Sequence, residues 1–140
     1  LTASTSPKLE MANSIPAIVW KNAITSKVSK TFTVPTNYDS NGYFTVLVGR
    51  SGSGTAPSID FEVFVNHTLT AFDAAATDQT QVALSSSIAS GSPELKSLTV
   101  ATDFASLAAG DVVTWNTWRG TTGTEDLQLY GGSFCYNIAL

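Results

Sequence analysis

The sequence contains one cysteine, Cys135, and one histidine, His67. A single thiol excludes a disulfide within the chain and a zinc site built from cysteines. Charged residues make up 13% of the chain, against a usual figure of about 25%. Seven lysines and arginines, in a chain of net charge −4, are too few for the basic surface that binds nucleic acid. No apolar run approaches the roughly 20 residues that cross a bilayer, so we expect neither a nucleic-acid nor a membrane partner.

The residues that are abundant favour β-structure. About a quarter of the 140 residues are serine or threonine, and 10% are aromatic. β-Branched and aromatic side chains fit a pleated, half-buried surface. A chain of this length forms one domain with its own core. Residues 1–14 are small and polar without a periodic apolar face, so they predict an extended N-terminal arm, followed by a β-sandwich domain over residues 15–140.

Alternating apolar residues and turn signals predict about eight strands and no convincing helix. The alternation is clearest at residues 59–65, where Ile59, Phe61, Val63 and Val65 are predicted to face inward, with Asp60 and Glu62 facing water. Asn41-Gly42 predicts a turn over residues 37–42. The predicted strands cover residues 15–20, 29–34, 43–48, 59–65, 81–84, 95–101, 112–118 and 133–140, and a helical turn is considered at 71–80.

Residues of the kinds that perform catalysis are few. The sequence has no Gly-x-Ser-x-Gly motif, so it offers no serine nucleophile of that kind for His67 to activate. Cys135 lies within an apolar strand and is interpreted as an inert thiol. Asp60 with Glu62, and Glu125 with Asp126, are the carboxylate pairs considered for glycosidase or calcium chemistry. The simpler interpretation is structural: Asp60 and Glu62 lie on a solvated strand face, and Glu125 and Asp126 lie in a turn. We therefore predict a protein that is not an enzyme, with no catalytic, cofactor or metal residues.

Three other features have a structural and a functional interpretation. The glycine-rich segment 49–54 lacks the Gly-Lys-Ser/Thr ending of a phosphate loop. Residues 66–68 fit the N-glycosylation pattern, which matters only in a secreted setting. Trp115 and Trp118 are three positions apart on one strand, so one faces the core and the other faces outward, toward a subunit or a sugar. Core or interface packing is the favoured interpretation of both, and of Trp20.

Several segments resemble small phage and environmental-virus β-proteins. The resemblance covers roughly residues 29–140, while the first 28 residues match no family that we can name. The Leu-x-x-Gly-Asp-x-Val element at 107–113 is also similar to tumour-necrosis-factor-like jelly rolls, which usually trimerise. The segments that carry the resemblance are residues 31–38, 43–48, 107–113, 118–120, 125–127 and 130–136.

The resemblance implies an all-β antiparallel sandwich of the jelly-roll type and a virion structural protein, located on the outside of the particle. The main hypothesis is a capsid decoration or cement protein that binds the major capsid protein, with residues 1–14 lying across capsid subunits. The alternatives are a receptor-binding tip on a fibre stalk, with loops 51–56 and 121–126 contacting the host or its surface glycans, a carbohydrate-binding module, and an extracellular filament subunit.

Surplus apolar residues predict that the chain associates with itself. Leu47, Phe64 and one of Trp115 or Trp118 fall on the opposite face from the main apolar set of their strands. Apolar groups that project outward from several strands indicate a subunit interface. We expect a homotrimer.

Overall fold

The structure, a computed structural model, describes residues 6–12, 14–67, 79–82, 93–98 and 107–139. Nine β-strands lie within these ranges. There is no helix among them with the length and apolar character that a membrane crossing needs. The strands are β1 (Lys8–Ala12), β2 (Ile15–Trp20), β3 (Val28–Thr33), β4 (Tyr38–Arg50), β5 (Ile59–Asn66), β6 (Gln79–Val82), β7 (Glu94–Leu98), β8 (Val112–Arg119) and β9 (Leu127–Ile138).

The strands form two antiparallel sheets, which confirms the predicted all-β class. The larger sheet has five strands in the order β1-β2-β9-β4-β7. The smaller sheet has three main strands in the order β3-β8-β5, and the short strand β6 lies at the outer edge of β5. Every described pair is antiparallel.

The core lies between the two sheets because one face of each main strand is apolar. Ile59, Phe61, Val63 and Val65 on β5 are at most 1% exposed, which confirms their predicted inward direction. The apolar face of β4 meets them from the larger sheet, where Phe44, Val46 and Val48 are also buried. Aromatic rings extend this core toward one side of the sandwich, at Phe32, Tyr38, Phe44, Trp115, Phe134 and Tyr136.

Three segments differ from the sequence prediction. Lys8–Ala12, expected within an extended arm, forms the edge strand β1 and pairs with β2. Residues 38–42, expected in a turn, belong to β4, where the register with β9 shifts twice and Asn41 has a φ of 55°. Strand β9 begins at Leu127, six residues before the predicted start at Ser133. Strand β1 is defined by pairing with β2, its neighbour in the sequence, whereas residues 38–42 and the start of β9 are defined by pairing between strands that are distant in the sequence.

Some predicted features lie wholly or partly outside the described residues. These are residues 1–5 and 13 of the expected arm, residue 68 of the glycosylation pattern, residues 71–78 of the considered helical turn, residues 83–84 and 99–101 of two predicted strands, and Leu140. Residues 79–80 of the considered helical turn belong to β6.

Candidate functional site

Glu62 is a buried carboxylate on the outer face of the smaller sheet. It is 4% exposed, so the prediction that it faces water is wrong. Its Oε1 accepts one hydrogen bond from the ammonium of Lys27 and another, of 2.8 Å, from the side-chain amide of Asn116. Lys27 belongs to the β2–β3 loop and covers this part of β5. Asp60, on the same face, is half-buried.

The two carboxylates of β5 have pKa values shifted in opposite directions. Burial acts to raise the pKa of Glu62, but the hydrogen bonds from Lys27 and Asn116 and the charge of Lys27 outweigh it, and the net pKa lies below the ordinary 4.5. For Asp60, burial raises the pKa above the ordinary 3.8. Glu62 therefore acts as the anionic partner that ties the β2–β3 loop to β5.

His67 contacts Asp111 at the opposite end of β5. Nδ1 of His67 lies 2.9 Å from Oδ2 of Asp111, and the same oxygen accepts a 2.9 Å hydrogen bond from the backbone N–H of Ala108. Asp111 is 1% exposed and follows Gly110, whose φ of 89° is one that glycine adopts readily. This arrangement joins the end of β5 to the turn that begins β8, which is a structural role for both side chains.

Three loops meet at one end of the sandwich: residues 21–27, 51–58 and 120–126. The carboxylate of Glu125 accepts hydrogen bonds from the hydroxyl of Ser51 at 2.8 Å and from the N–H of Gly54 at 2.9 Å. Asp126 accepts the N–H of Asn22 at 2.9 Å and pairs with Lys21. The glycine-rich segment and the Glu125-Asp126 pair, which the sequence presents separately, are thus brought together.

Arg119 organises this loop end, a role that was not predicted from the sequence. Its guanidinium is 1% exposed and donates to the carbonyls of Gly120, Gly123 and Glu125 and to the side-chain carbonyl of Asn22, at 2.7 to 3.1 Å. Burial lowers the pKa of Arg119, and the charge of Asp126 opposes that change. One feature of the sequence could have indicated this role: Arg119 ends a strand that is otherwise uncharged. An arginine in such a place can be buried, because its planar guanidinium presents several hydrogen-bond donors.

The two tryptophans of β8 lie on opposite faces of the strand, as predicted. Trp115 is 6% exposed and stacks on Phe44, with ring centroids 4.5 Å apart. Trp118 lies on the outer face, where the ammonium of Lys27 lies 4.6 Å from its ring centroid. Trp20 is fully buried and donates to the carbonyl of Ser26 at 2.8 Å.

The part of the chain that the structure describes contains no cluster of side chains suited to metal or thiol chemistry. No group of three or more His, Cys, Asp or Glu side chains there is arranged to hold a metal ion. Cys135 is half-buried, and its Sγ lies 3.7 Å from the hydroxyl of Thr45. Its side chain is on the opposite face of β9 from Phe134 and Tyr136, as the alternation predicts.

A set of exposed apolar side chains lies on the outer side of the five-stranded sheet. Tyr43 and Leu47 on β4 are each 37% exposed, and Leu95 on β7, directly opposite Leu47, is 68% exposed. On the other side of β4, Leu47 faces Gly131 and Tyr43 faces Cys135. We call Tyr43, Leu47 and Leu95 the outer apolar face.

These features define the class of the protein as an all-β chain of two antiparallel sheets. No protein-family model matches the sequence, and no curated protein is significantly similar to it. The function is therefore inferred from the surfaces of the chain itself.

Proposed function

We propose that the chain is a non-enzymatic structural protein on the outside of a phage-like particle, where it decorates or cements the capsid shell. The outer apolar face is the observation that carries this proposal. Exposed apolar side chains that share one face of a sheet are typical of protein–protein contacts. The sequence resemblance to small phage and environmental-virus β-proteins supports the location.

The finer fold in this proposal is a jelly roll with β1 as an additional edge strand. In a jelly roll, eight strands wind as nested antiparallel pairs into two sheets. The observed pairs β2–β9, β3–β8, β4–β7 and β5–β6 are nested in this way. Since the nesting is complete for β2 through β9, the pairing supports the jelly-roll interpretation over other sandwich topologies.

The proposed partners are two further copies of the chain, in a homotrimer, and the major capsid protein. Another copy of the chain suits the outer apolar face because that face and its β9 neighbours Gly131, Ser133 and Cys135 are uncharged. Two copies of an acidic chain therefore meet there without like charges opposing each other.

A receptor-binding tip of a fibre is the second candidate, and the loop end favours it. Arg119 and Glu125 hold loops 51–58 and 120–126 in a fixed arrangement, as a recognition surface on a rigid scaffold requires. The carbohydrate-module alternative has less support because Lys27 covers the ring of Trp118. A filament built by donating residues 1–14 has less support because Lys8–Ala12 already pairs with β2.

Immunogold labelling of particles from the source, viewed by electron microscopy, tests this proposal. An antibody raised against the folded chain is expected to label the capsid shell. Labelling confined to fibre tips would support the second candidate instead. Label that stays away from particles, with unrelated virions as the control, would contradict both virion roles.

A further inference from the structure

An apolar cleft lies between the two sheets, beside the free edge of β3. Leu9 on β1 and Ile18 on β2 are directly opposite each other and share a face. Ile18 packs against the core, whereas Leu9 is 77% exposed. The smaller sheet therefore does not cover the underside of β1, and an opening remains between that underside and β3.

Two adjoining cavities make up this cleft, with volumes of about 360 Å³ and about 210 Å³. The larger cavity lies under β1 and β2, and the smaller one lies against the rings of Phe32, Phe44 and Phe134. Sites for small molecules begin at about 300 Å³ and are mainly apolar with few polar groups. The apolar side chains around the larger cavity include Leu9, Pro16, Ile18, Val28, Trp115 and Leu129.

A glycine on β9 positions the aromatic wall that the two cavities share. A Cβ at Gly132 would lie 2.7 Å from the indole of Trp115, so this indole occupies the space that a side chain would need. The indole N–H of Trp115 is buried and has no hydrogen-bond acceptor among the described residues. The indole ring, rather than its N–H group, is therefore the part of Trp115 that lines the cleft.

Lys30 gives the cleft a positive charge. It lies on β3 opposite Trp115, between Val28 and Phe32 on the inner side of the strand, and it lines both cavities. Its side chain is exposed, and within the described part of the chain no carboxylate lies at ion-pair distance from its ammonium. An apolar cleft with an ammonium at its edge is complementary to a molecule that has an aliphatic tail and an anionic head.

We propose that this cleft binds a linear aliphatic carboxylate of medium chain length, with the tail between the sheets and the carboxylate on Lys30. An added protein strand fits the same place less well. Pairing a strand with the free edge of β3 would cover the inward-facing Lys30, and inward charges on edge strands are a known defence against such pairing. The site is separate from the outer apolar face, so the proposal does not depend on the proposed function.

Titration calorimetry with dodecanoate, below the concentration at which it forms micelles, tests the proposal. Lys30→Gln is expected to weaken dodecanoate binding about tenfold, because it removes the charge-assisted hydrogen bond. Lys8→Gln makes the same change on exposed β1 and should leave binding unchanged. Dodecanol, which lacks the charge, should bind the wild type and Lys30→Gln equally. Val28→Phe narrows the larger cavity and should weaken both ligands.

NMR spectroscopy locates the bound ligand and checks that each variant is folded. The indole N–H signal of Trp115, assigned with Trp115→Phe, is expected to shift when dodecanoate binds. Equal dodecanoate affinity of Lys30→Gln and the wild type would overturn the proposal, as would binding that leaves the Trp115 signal unmoved. Slow exchange of the β3 edge amides caused by self-association would also overturn it, since a second copy would then occupy the cleft.

Discussion

At the scale of single residues, Asp60 and Glu62 show how surroundings separate two similar groups. They are two positions apart on one face of β5, yet only Glu62 receives hydrogen bonds from Lys27 and Asn116. Those contacts stabilise its anionic form, whereas burial disfavours the anion of Asp60. The two residues should therefore affect the free energy of unfolding with opposite dependence on pH.

Glu62→Gln is expected to lower the free energy of unfolding by about 1–2 kcal/mol at neutral pH, because it removes a charge-assisted contact. Since the folded pKa of Glu62 is below the ordinary 4.5, its contribution is present above that pH and is lost as the pH falls through the folded pKa. Urea denaturation of wild type and variant from acid to neutral pH measures the difference. That difference should shrink toward zero at the acid end.

Asp60→Asn, measured by urea denaturation over the same pH range, is the matched comparison for Glu62→Gln. Because the folded pKa of Asp60 is raised, its favourable contribution is present below the ordinary 3.8 and is lost as the pH rises through the folded pKa. The variant should therefore gain stability relative to the wild type at neutral pH. If both variants showed the same dependence on pH, the opposite surroundings described for these carboxylates would be wrong.

At the scale of elements, Arg119 connects loops that are not joined to each other by strand pairing. Its guanidinium reaches four oxygen atoms, in loops 21–27 and 120–126. Glu125 then extends the connection to loop 51–58. Gly123, with a φ of 84°, allows the backbone to pass close to Ala56, where a Cβ would lie 2.3 Å from the carbonyl oxygen. The loop end is thus held by a few polar contacts, of which those of Arg119 are buried or partly buried and those of Glu125 are exposed.

Arg119→Lys is expected to cost about 3 kcal/mol of unfolding free energy, because an ammonium cannot satisfy the acceptors that the planar guanidinium reaches. Arg50→Lys is the control: Arg50 is half-buried at the same end, and its guanidinium donates an exposed 2.7 Å hydrogen bond to the carbonyl of Gly54. It should cost less than about 1 kcal/mol. Urea denaturation gives both values, and equal costs would show that Arg119 does not organise the loops.

The sequence predicts strands well where one face is buried along their whole length. The alternation at β5 and β8 is local, so it can be recognised without knowing the partner strands. Strand β1 has only five residues with mixed character, and it is defined by pairing with β2. The Asn41-Gly42 pair is typical of a turn, but in β4 the register shifts accommodate it within a strand paired with β9.

The interaction surfaces are less predictable because their contacts are distant in the sequence. The outward direction of Leu47 follows from alternation, but its pairing with Leu95 depends on the order of strands in the sheet. Asn22 and Arg119 are 97 positions apart, and Lys27 and Glu62 are 35 apart. No local pattern indicates that Lys27 covers Glu62, or that Lys30 lies beside a cleft.

At the scale of the whole molecule, the chain presents distinct surfaces on one sandwich. The outer apolar face lies on the five-stranded sheet, the loop end joins three connections, and the cleft opens beside β3. If copies associate through the outer apolar face, the loop end stays available for a capsid protein or a receptor. We therefore propose that the chain acts by binding protein through the outer apolar face, and that its first partner is another copy of itself.

Native mass determination at micromolar protein concentration tests this self-association, with Leu95→Asp compared against Leu9→Asp. Both replace a highly exposed leucine by a carboxylate, but only Leu95 belongs to the outer apolar face. We expect a trimer for the wild type and for Leu9→Asp, and a folded monomer for Leu95→Asp. A monomeric wild type, or a trimer that persists in Leu95→Asp, would contradict it.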